Sequence, residues 1–396
     1  MKKHISTAKS FYAALFIATG SLFLIFSTTP EEPIRIGATM SQSGSLATQG
    51  IAAKNGYLLC EEHINQNGGL LGRTIEFLIY DDESDSEKAI SLYEKLITED
   101  EVDAIIGPYG STLTEAVAPV TEYHRMVHIS PLAATSSIWE QGREYLFMVL
   151  PPAELFLAGL IDMADHNGLT SVAIIQENAL FPRAAGSGAA ELARERGMNV
   201  ELETTYDSGR EDFSAILETI KNREIEVVGM AASSLNDFIT VVRQMKELDV
   251  NVKMFGTSGA VIQFQEELGG LAEYTYGLSA WEPSLQNPGI PEFTEAYQSR
   301  FGIDPSFHAA GAYGSCMLYT EAIEKAGTLD SDTVRDVLLN LETETIFGEY
   351  AVDERGYQIA NKGLFIQWQE GEKVIVWPDD VATHQPRYPT PNWNNR

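Results

Sequence analysis

The stretch spanning residues 102–135 constrains this chain most. The apolar run Val102-Asp103-Ala104-Ile105-Ile106 has strand length, and the glycine- and hydroxyl-rich turn Gly107-Pro108-Tyr109-Gly110-Ser111-Thr112 ends it. A helical segment follows, then a second short strand, Val127-His128-Ile129, running into the small-residue turn Ser130-Pro131-Leu132-Ala133-Ala134-Thr135. Short apolar runs separated by a helix specify a βαβ unit of a sheet buried on both faces. Successive parallel strands deliver their carboxyl ends to one edge, where open α/β sheets bind ligands. Residues 102–135 are therefore expected to present amides and hydroxyls to a small solute.

The same strand–turn–helix alternation extends in both directions, which implies α/β architecture with parallel sheets. Before it come a strand over 34–39, a polar turn over 41–45, a helix over about 48–65 closed by Asn67-Gly68-Gly69, a strand over 74–80 ending in Asp81-Asp82, and a helix over 86–98. After it, Pro151-Pro152 interrupts the apolar run, since proline removes a backbone donor; this marks a first crossing between lobes. A second series then follows: helix 153–166, strand 172–176, a turn containing Phe181-Pro182-Arg183, helix 184–196, strand 200–205, helix 212–222 with Asp212 as a cap, strand 227–230, helix 236–248 and strand 252–255. The segment 276–283, with Trp281, reads as the return crossing. Helices over 291–300, 307–326 and 331–341 rejoin the first lobe, and Glu370-Gly371-Glu372 between two β-rich runs signals a hairpin.

At 396 residues the chain exceeds the roughly 100–200 of one ordinary core, so two lobes are expected. Their expected extents are 33–149 plus 282–346 for the N-terminal lobe and 150–281 plus 347–378 for the C-terminal lobe, with 379–396 a frayed tail. Residues 1–29 read as a secretory signal peptide. Lys2, Lys3 and Lys9 precede an apolar run from Phe11 to Phe26 that is shorter than the roughly 20 residues a spanning helix needs. An uncleaved membrane anchor is the alternative; no cysteine near the expected cleavage site suggests a lipid anchor. The net charge of −30 repels nucleic acid and anionic membranes, and nucleic-acid binding is excluded. Cys60 and Cys316 are the only cysteines. An oxidising compartment allows a bridge, and two buried thiols fit the sequence equally well.

The ordered set Asn67-Gly68-Gly69-Leu70-Leu71-Gly72-Arg73, Asp81-Asp82, Ile105-Ile106-Gly107-Pro108, Val117-Ala118-Pro119-Val120, Ile129-Ser130-Pro131 and Asp212-Phe213-Ser214 resembles the type I periplasmic binding proteins. It is most similar to the leucine/isoleucine/valine-binding branch that serves ABC importers of branched-chain amino acids. The similarity spans roughly residues 33–377. It implies two Rossmann-like lobes joined by a three-strand hinge, a cleft that closes on ligand, no catalysis and no cofactor.

The resemblance also places ligand contacts. Ser111 matches a serine that touches the ligand carboxylate, at a helix start whose first amides lack partners. Read alone, Ser111 is also the neighbour of a capping box at Thr112 and Glu115. Ala133 and Thr135 match a second contact segment, with Leu132 as an extra residue between the proline and the alanines. Phe181 falls where the family often has a tyrosine that closes over the ligand, and Ser233 where it has another aromatic. Ser258 stands where amino-acid binders usually offer an acid to the ligand's ammonium. Burying an ammonium without a carboxylate is costly, so amides, ureas and carboxylates without an α-ammonium become candidate ligands. Trp281 and Tyr313 are either cleft-lining or packing residues.

Other chemistries find no support. His124 and His128 are four apart, but Val127–Ile129 reads as a strand, so they do not share a helix face. No G-x-S-x-G elbow, P-loop or H-E-x-x-H occurs. Asp81-Asp82 at a strand end fits metal or acid–base work by residue type, and the resemblance implies a structural or cleft-rim pair instead. The expected function is that of a monomeric periplasmic receptor capturing an amino acid, amide or small carboxylate for an ABC transporter permease. A ligand-sensing receptor of the same fold is the alternative.

Overall fold

The computed structural model describes Met1 and residues 32–396, so the expected leader lies, Met1 apart, outside the described residues. The first series comprises β1 (Ile34–Met40), α1 (Ala47–Gln66), β2 (Ile75–Asp81), α2 (Ser86–Thr98), β3 (Ala104–Ile106), α3 (Ser111–Tyr123), β4 (His128–Ser130) and β5 (Leu146–Met148). Its five strands are all parallel, in the order β2-β1-β3-β4-β5. β3, β4 and β5 are buried along their whole length, as parallel strands covered on both faces must be. α2 begins where Asp85 accepts the Lys88 amide at 2.8 Å, an ordinary side-chain cap.

The second series follows a crossing at 149–157: α4 (Ala158–His166), β6 (Ser171–Glu177), α5 (Leu180–Glu195), β7 (Asn199–Tyr206), α6 (Ser214–Asn222), β8 (Val227–Ala231), α7 (Leu235–Glu247), β9 (Met254–Thr257), α8 (Ile262–Leu268) and β10 (Tyr276–Ser279). The chain then passes to α9 (Ile290–Phe301), α10 (Phe307–Ala326), α11 (Ser331–Leu339) and a small hairpin, β11 (Thr343–Thr345) with β12 (Gly348–Tyr350). It returns to the second sheet as β13 (Leu364–Gln369) and β14 (Glu372–Trp377). That sheet has the order β14-β13-β10-β9-β8-β6-β7, parallel from β10 to β7 and antiparallel at β13 and β14. The edge strand β7 alternates between exposed and half-buried residues and carries Glu201 and Glu203 outward, which discourages pairing with another chain. The expected hairpin forms: Glu370 and Gly371 both have positive φ (57° and 82°), the backbone a two-residue turn of this hand requires.

Three crossings, at 149–157, 280–289 and 351–363, join the sheets. Buried Gln358 ties two of them together. Its Nε2 donates to the carbonyls of Val149 and Glu349, both at 3.3 Å, and its Oε1 accepts the Ala360 amide at 2.8 Å. In the first lobe α1 packs so tightly on α10 that a Cβ on Gly56 would sit 2.3 Å from the Ala309 carbonyl oxygen. This approach brings Cys60 and Cys316 together, and they form a disulfide across a sequence separation of 256.

The tail departs from expectation. Residues 379–396 are not frayed: Trp393 is buried, and its Nε1 donates to the Val250 carbonyl at 2.7 Å. The Thr390 amide donates to the Lys253 carbonyl at 3.0 Å. An apolar ring that also finds an acceptor for its N–H outweighs the prolines' disfavour for regular structure.

Candidate functional site

Each sheet reverses its strand order once, between β1 and β3 in the first lobe and between β6 and β8 in the second. Such switch points leave a crevice at the carboxyl ends of the strands, and here the two crevices face one another. Between them lies a cavity of about 90 Å³, lined from the first lobe by Leu46, Gln49, 109–113, Leu132 and Ala134, and from the second by Phe181, 232–233, Leu235, Phe238, 258–259 and Val261. Leu150 and Phe156 from the first crossing, and Phe307 and His308 from the start of α10, complete it.

The first-lobe wall is built by the turn after β3. Gly110 has φ 87° and ψ 153°, a region open essentially to glycine alone, and it turns the chain into α3. The first bond into the helix is from the Thr114 amide to the Gly110 carbonyl, so the amides of Ser111, Thr112 and Leu113 precede it and face the cavity end. No acid occupies the first turn of α3. The capping box expected at Thr112 and Glu115 does not form. Instead Arg143 takes both carboxylate oxygens of Glu115, at 2.7 and 3.0 Å, because a bidentate charged pair outcompetes a single reach back to a backbone amide.

Ser111 is 2% exposed, and its Oγ accepts the amides of Ala134 (3.1 Å) and Thr135 (3.3 Å). Its lone pairs thus stitch the β3 and β4 turns together, leaving its hydroxyl proton to donate. That geometry decides how the second expected segment sits. Ser111, Phe181, Ser233 and Ser258 line the cavity, whereas Ala133 and Thr135 do not. With two successive amides turned toward Ser111, it is Leu132 and Ala134 that face the space. Thr135 Oγ1 is buried and without a partner among the described residues.

On the second lobe, Phe181 lies within the first turn of α5, not in a turn before it, since Pro182 is well tolerated at a helix start. Its ring packs edge-to-face on Phe156 with centroids 4.9 Å apart. Ser258 Oγ accepts the Ala232 amide at 3.2 Å and donates to the Ala232 carbonyl at 3.4 Å, so this serine braces the ends of β8 and β9. The Ser233 amide donates to Glu177 Oε2 at 2.7 Å, and the other oxygen of Glu177 is held by the Ser208 hydroxyl. Asp237 accepts the Tyr206 hydroxyl at 2.7 Å, and burial raises its pKa. Both acids sit behind the wall; among the described residues no Asp, Glu, Lys or Arg lines the cavity.

Sequence reasoning missed Gln49 and His308. Gln49 Nε2 reaches across the cleft to the Ser233 carbonyl at 3.5 Å, while its Oε1 is buried with no partner. His308 packs against Tyr109 and Phe307, with centroids at 5.3 and 3.8 Å. Burial, with Lys373 nearby, pushes its pKa down to about 3, so the ring is neutral. Gln49 follows the polar turn after β1 by one helical turn, a signal that was readable. His308 carried none, because only the lobe arrangement aims the start of α10 at the cleft. Trp281 and Tyr313 are packing residues: Trp281 lies edge-to-face with Phe293 at 5.7 Å, and Tyr313 hydrogen-bonds His63 at 2.7 Å.

The remaining polar pairs are structural. Asp82 is fully buried and accepts from Thr39 (2.9 Å), Ser41 (2.6 Å) and the Ser84 amide (3.0 Å), while Asp81 accepts from the Gln42 amide and Ser43. Together they hold the turn after β1 that carries the cleft wall. His128 is buried, its ring bonded to Thr121 and the Gly107 carbonyl, and burial lowers its pKa to about 4. His124 pairs instead with Glu94 at 3.2 Å.

Two doubly wound lobes meeting at their switch points over a small cavity define the type I periplasmic binding fold. The chain belongs to the periplasmic binding protein family, whose profile matches residues 33–373. It is 25% identical over 377 residues to the Leu/Ile/Val-binding protein homolog 7 of Brucella suis biovar 1 (strain 1330), covering 90% of this chain and 94% of that protein. Among solved structures it is similar to the leucine binding protein LivK of Thermotoga maritima MSB8, with a TM-score of 0.80, 20% identity, and coverage of 86% of this chain and 97% of that one. It is also similar to an ABC transporter solute binding protein of R. palustris in complex with benzoate, with a TM-score of 0.77, 17% identity, and coverage of 87% and 96%. The protein is a substrate-binding protein.

Proposed function

We propose that the protein is the periplasmic receptor of an ABC importer, a monomer that captures an amino acid or a related small amide or carboxylate between its lobes and delivers it to a membrane permease. The observation that carries this reading is the cavity at the facing switch points, where the unpaired amides of α3 look across at the ends of β8 and β9. A solute there touches both lobes only when they are closed, and this difference in affinity shifts the population toward the closed form. The permease reads that form. Gln49 Nε2 reaching the Ser233 carbonyl is a polar contact that already spans the cavity. Among the described residues no helix is long and apolar enough to cross a membrane.

The test is a thermal-shift screen of the purified protein against amino acids, amides, ureas and small carboxylates. A specific solute at a hundred times its Kd stabilises by about 2.7 kcal/mol, an easily measured rise in melting temperature. No shift with any compound, together with stabilisation by a partner protein, would favour a sensor over a transport receptor.

A further inference from the structure

We propose that the ligand is a small carboxylate with an apolar body that carries no ammonium group, held by the α3 amides and by the uncharged side chains of Gln49 and His308. This inference rests on the receptor reading and narrows its ligand class.

The amides of Ser111 to Leu113 and the free hydroxyl proton of Ser111 are all donors, gathered at the positive end of a 13-residue helix with no acid in its first turn. They call for an acceptor, and a carboxylate suits them best. Two buried polar side chains independently point to a ligand. Gln49 is 6% exposed and lines the cavity with an unpartnered Oε1. His308 is 4% exposed, lines the same cavity, and makes no hydrogen bond among the described residues. Gln49 Oε1 is an acceptor and calls for a ligand donor such as a hydroxyl, whereas the neutral His308 ring offers a donor for a hydroxyl or carboxylate oxygen and an acceptor besides.

An ammonium finds no counter-charge. Among the described residues the lining carries no carboxylate, and two acids next to lining residues are committed: Glu177 to Ser208 and the Ser233 amide, Asp237 to Tyr206. Ser258 spends its hydroxyl on Ala232. A buried ammonium facing only neutral acceptors loses its hydration without an ion pair. The rest of the wall is mainly leucine and phenylalanine, with Val261, Tyr109 and small residues, which suits a hydrocarbon chain or ring.

The experiment measures calorimetric affinities for two matched sets: 4-methylpentanoate, 2-hydroxy-4-methylpentanoate and leucine; and 3-phenylpropionate, 3-phenyllactate and phenylalanine. The proposal expects, in at least one set, an acid without ammonium to bind at least tenfold more tightly than its amino-acid counterpart, equivalent to about 1.4 kcal/mol. An amino acid binding as tightly as its counterparts, or no binding by any of the six, overturns it. In that last case an amide or urea found by the screen leaves the receptor reading standing, whereas a blank screen removes that reading too. Gln49→Glu supplies the missing carboxylate in nearly the same shape and should shift the preference toward the amino acid by at least tenfold. His308→Asn, which also gives up ring packing on Tyr109 and Phe307, should weaken the favoured acid about tenfold, measured on protein that is fully folded at the assay temperature. An unchanged preference in Gln49→Glu refutes the role assigned to the cavity's neutrality.

Discussion

Replacing Ser111 by alanine removes one oxygen and strands two buried amides. Those of Ala134 and Thr135 reach Ser111 Oγ at 3.1 and 3.3 Å in a region with almost no solvent. A buried donor left without an acceptor costs about 1–3 kcal/mol. With both bonds on the long side, the expected loss is about 2–4 kcal/mol of unfolding free energy, measured by urea titration. The same change removes a donor from the carboxylate end of the cavity, so affinity for the solute should fall about tenfold. Thr112→Ala is the control. Thr112 is exposed and its side chain makes no hydrogen bond among the described residues, so stability should stay within about 0.5 kcal/mol of the parent. Had the capping box formed, this substitution would cost about 1 kcal/mol. An unfolding free energy for Ser111→Ala indistinguishable from that of Thr112→Ala would refute the claim that Ser111 joins the two cleft turns.

Further expectations follow from other parts of the fold. Replacing Cys60 and Cys316 together by alanine frees a loop with a sequence separation of 256, and the chain-entropy estimate puts the loss at up to about 5.5 kcal/mol, to be read from denaturant midpoints. Gly50→Ala would place a Cβ 1.9 Å from the Ser41 carbonyl oxygen, so the turn after β1 must move and stability should drop by about 3 kcal/mol, whereas Gly270→Ala, with nothing within 4 Å, should be close to neutral. Glu226 bonds Lys253 at 2.6 Å and the Thr170 amide at 2.8 Å, and the Lys253 ammonium is the chief reason its pKa falls to about 2. Because the folded value lies below the unfolded one, its contribution is complete above about pH 4.5 and disappears as pH falls through 2. Glu226→Gln should therefore flatten the acid limb of the stability profile in that window.

The alternation of strands and helices was legible because each element carries its own pattern and punctuation. α2 and α10 run over the residues expected from the sequence, and Glu370-Gly371 supplied the positive-φ pair its hairpin needs. Facts that depend on distant neighbours were not legible. The Cys60–Cys316 bond requires the contact of α1 with α10, and the docking of Trp393 requires the Val250 carbonyl, 143 positions away. The site divided along the same line. Ser111, Phe181, Ser233 and Ser258 follow strand ends, and the fold sends strand ends to the cleft. Ala133 and Thr135 lie off the cavity lining, in a turn whose amides at 134 and 135 both go to Ser111, a pairing that residue types alone do not reveal. His308 enters the cavity only through the packing of α10 against the first sheet.

The most direct measurement is a crystal structure of the protein with the solute that stabilises it most. The account predicts density in the space between the lobes, with an oxygen on the amides of Ser111 and Thr112 and the body of the molecule against Phe181 or the turns 232–235 and 258–261. Density confined to one lobe, or lying outside the cleft, would contradict it.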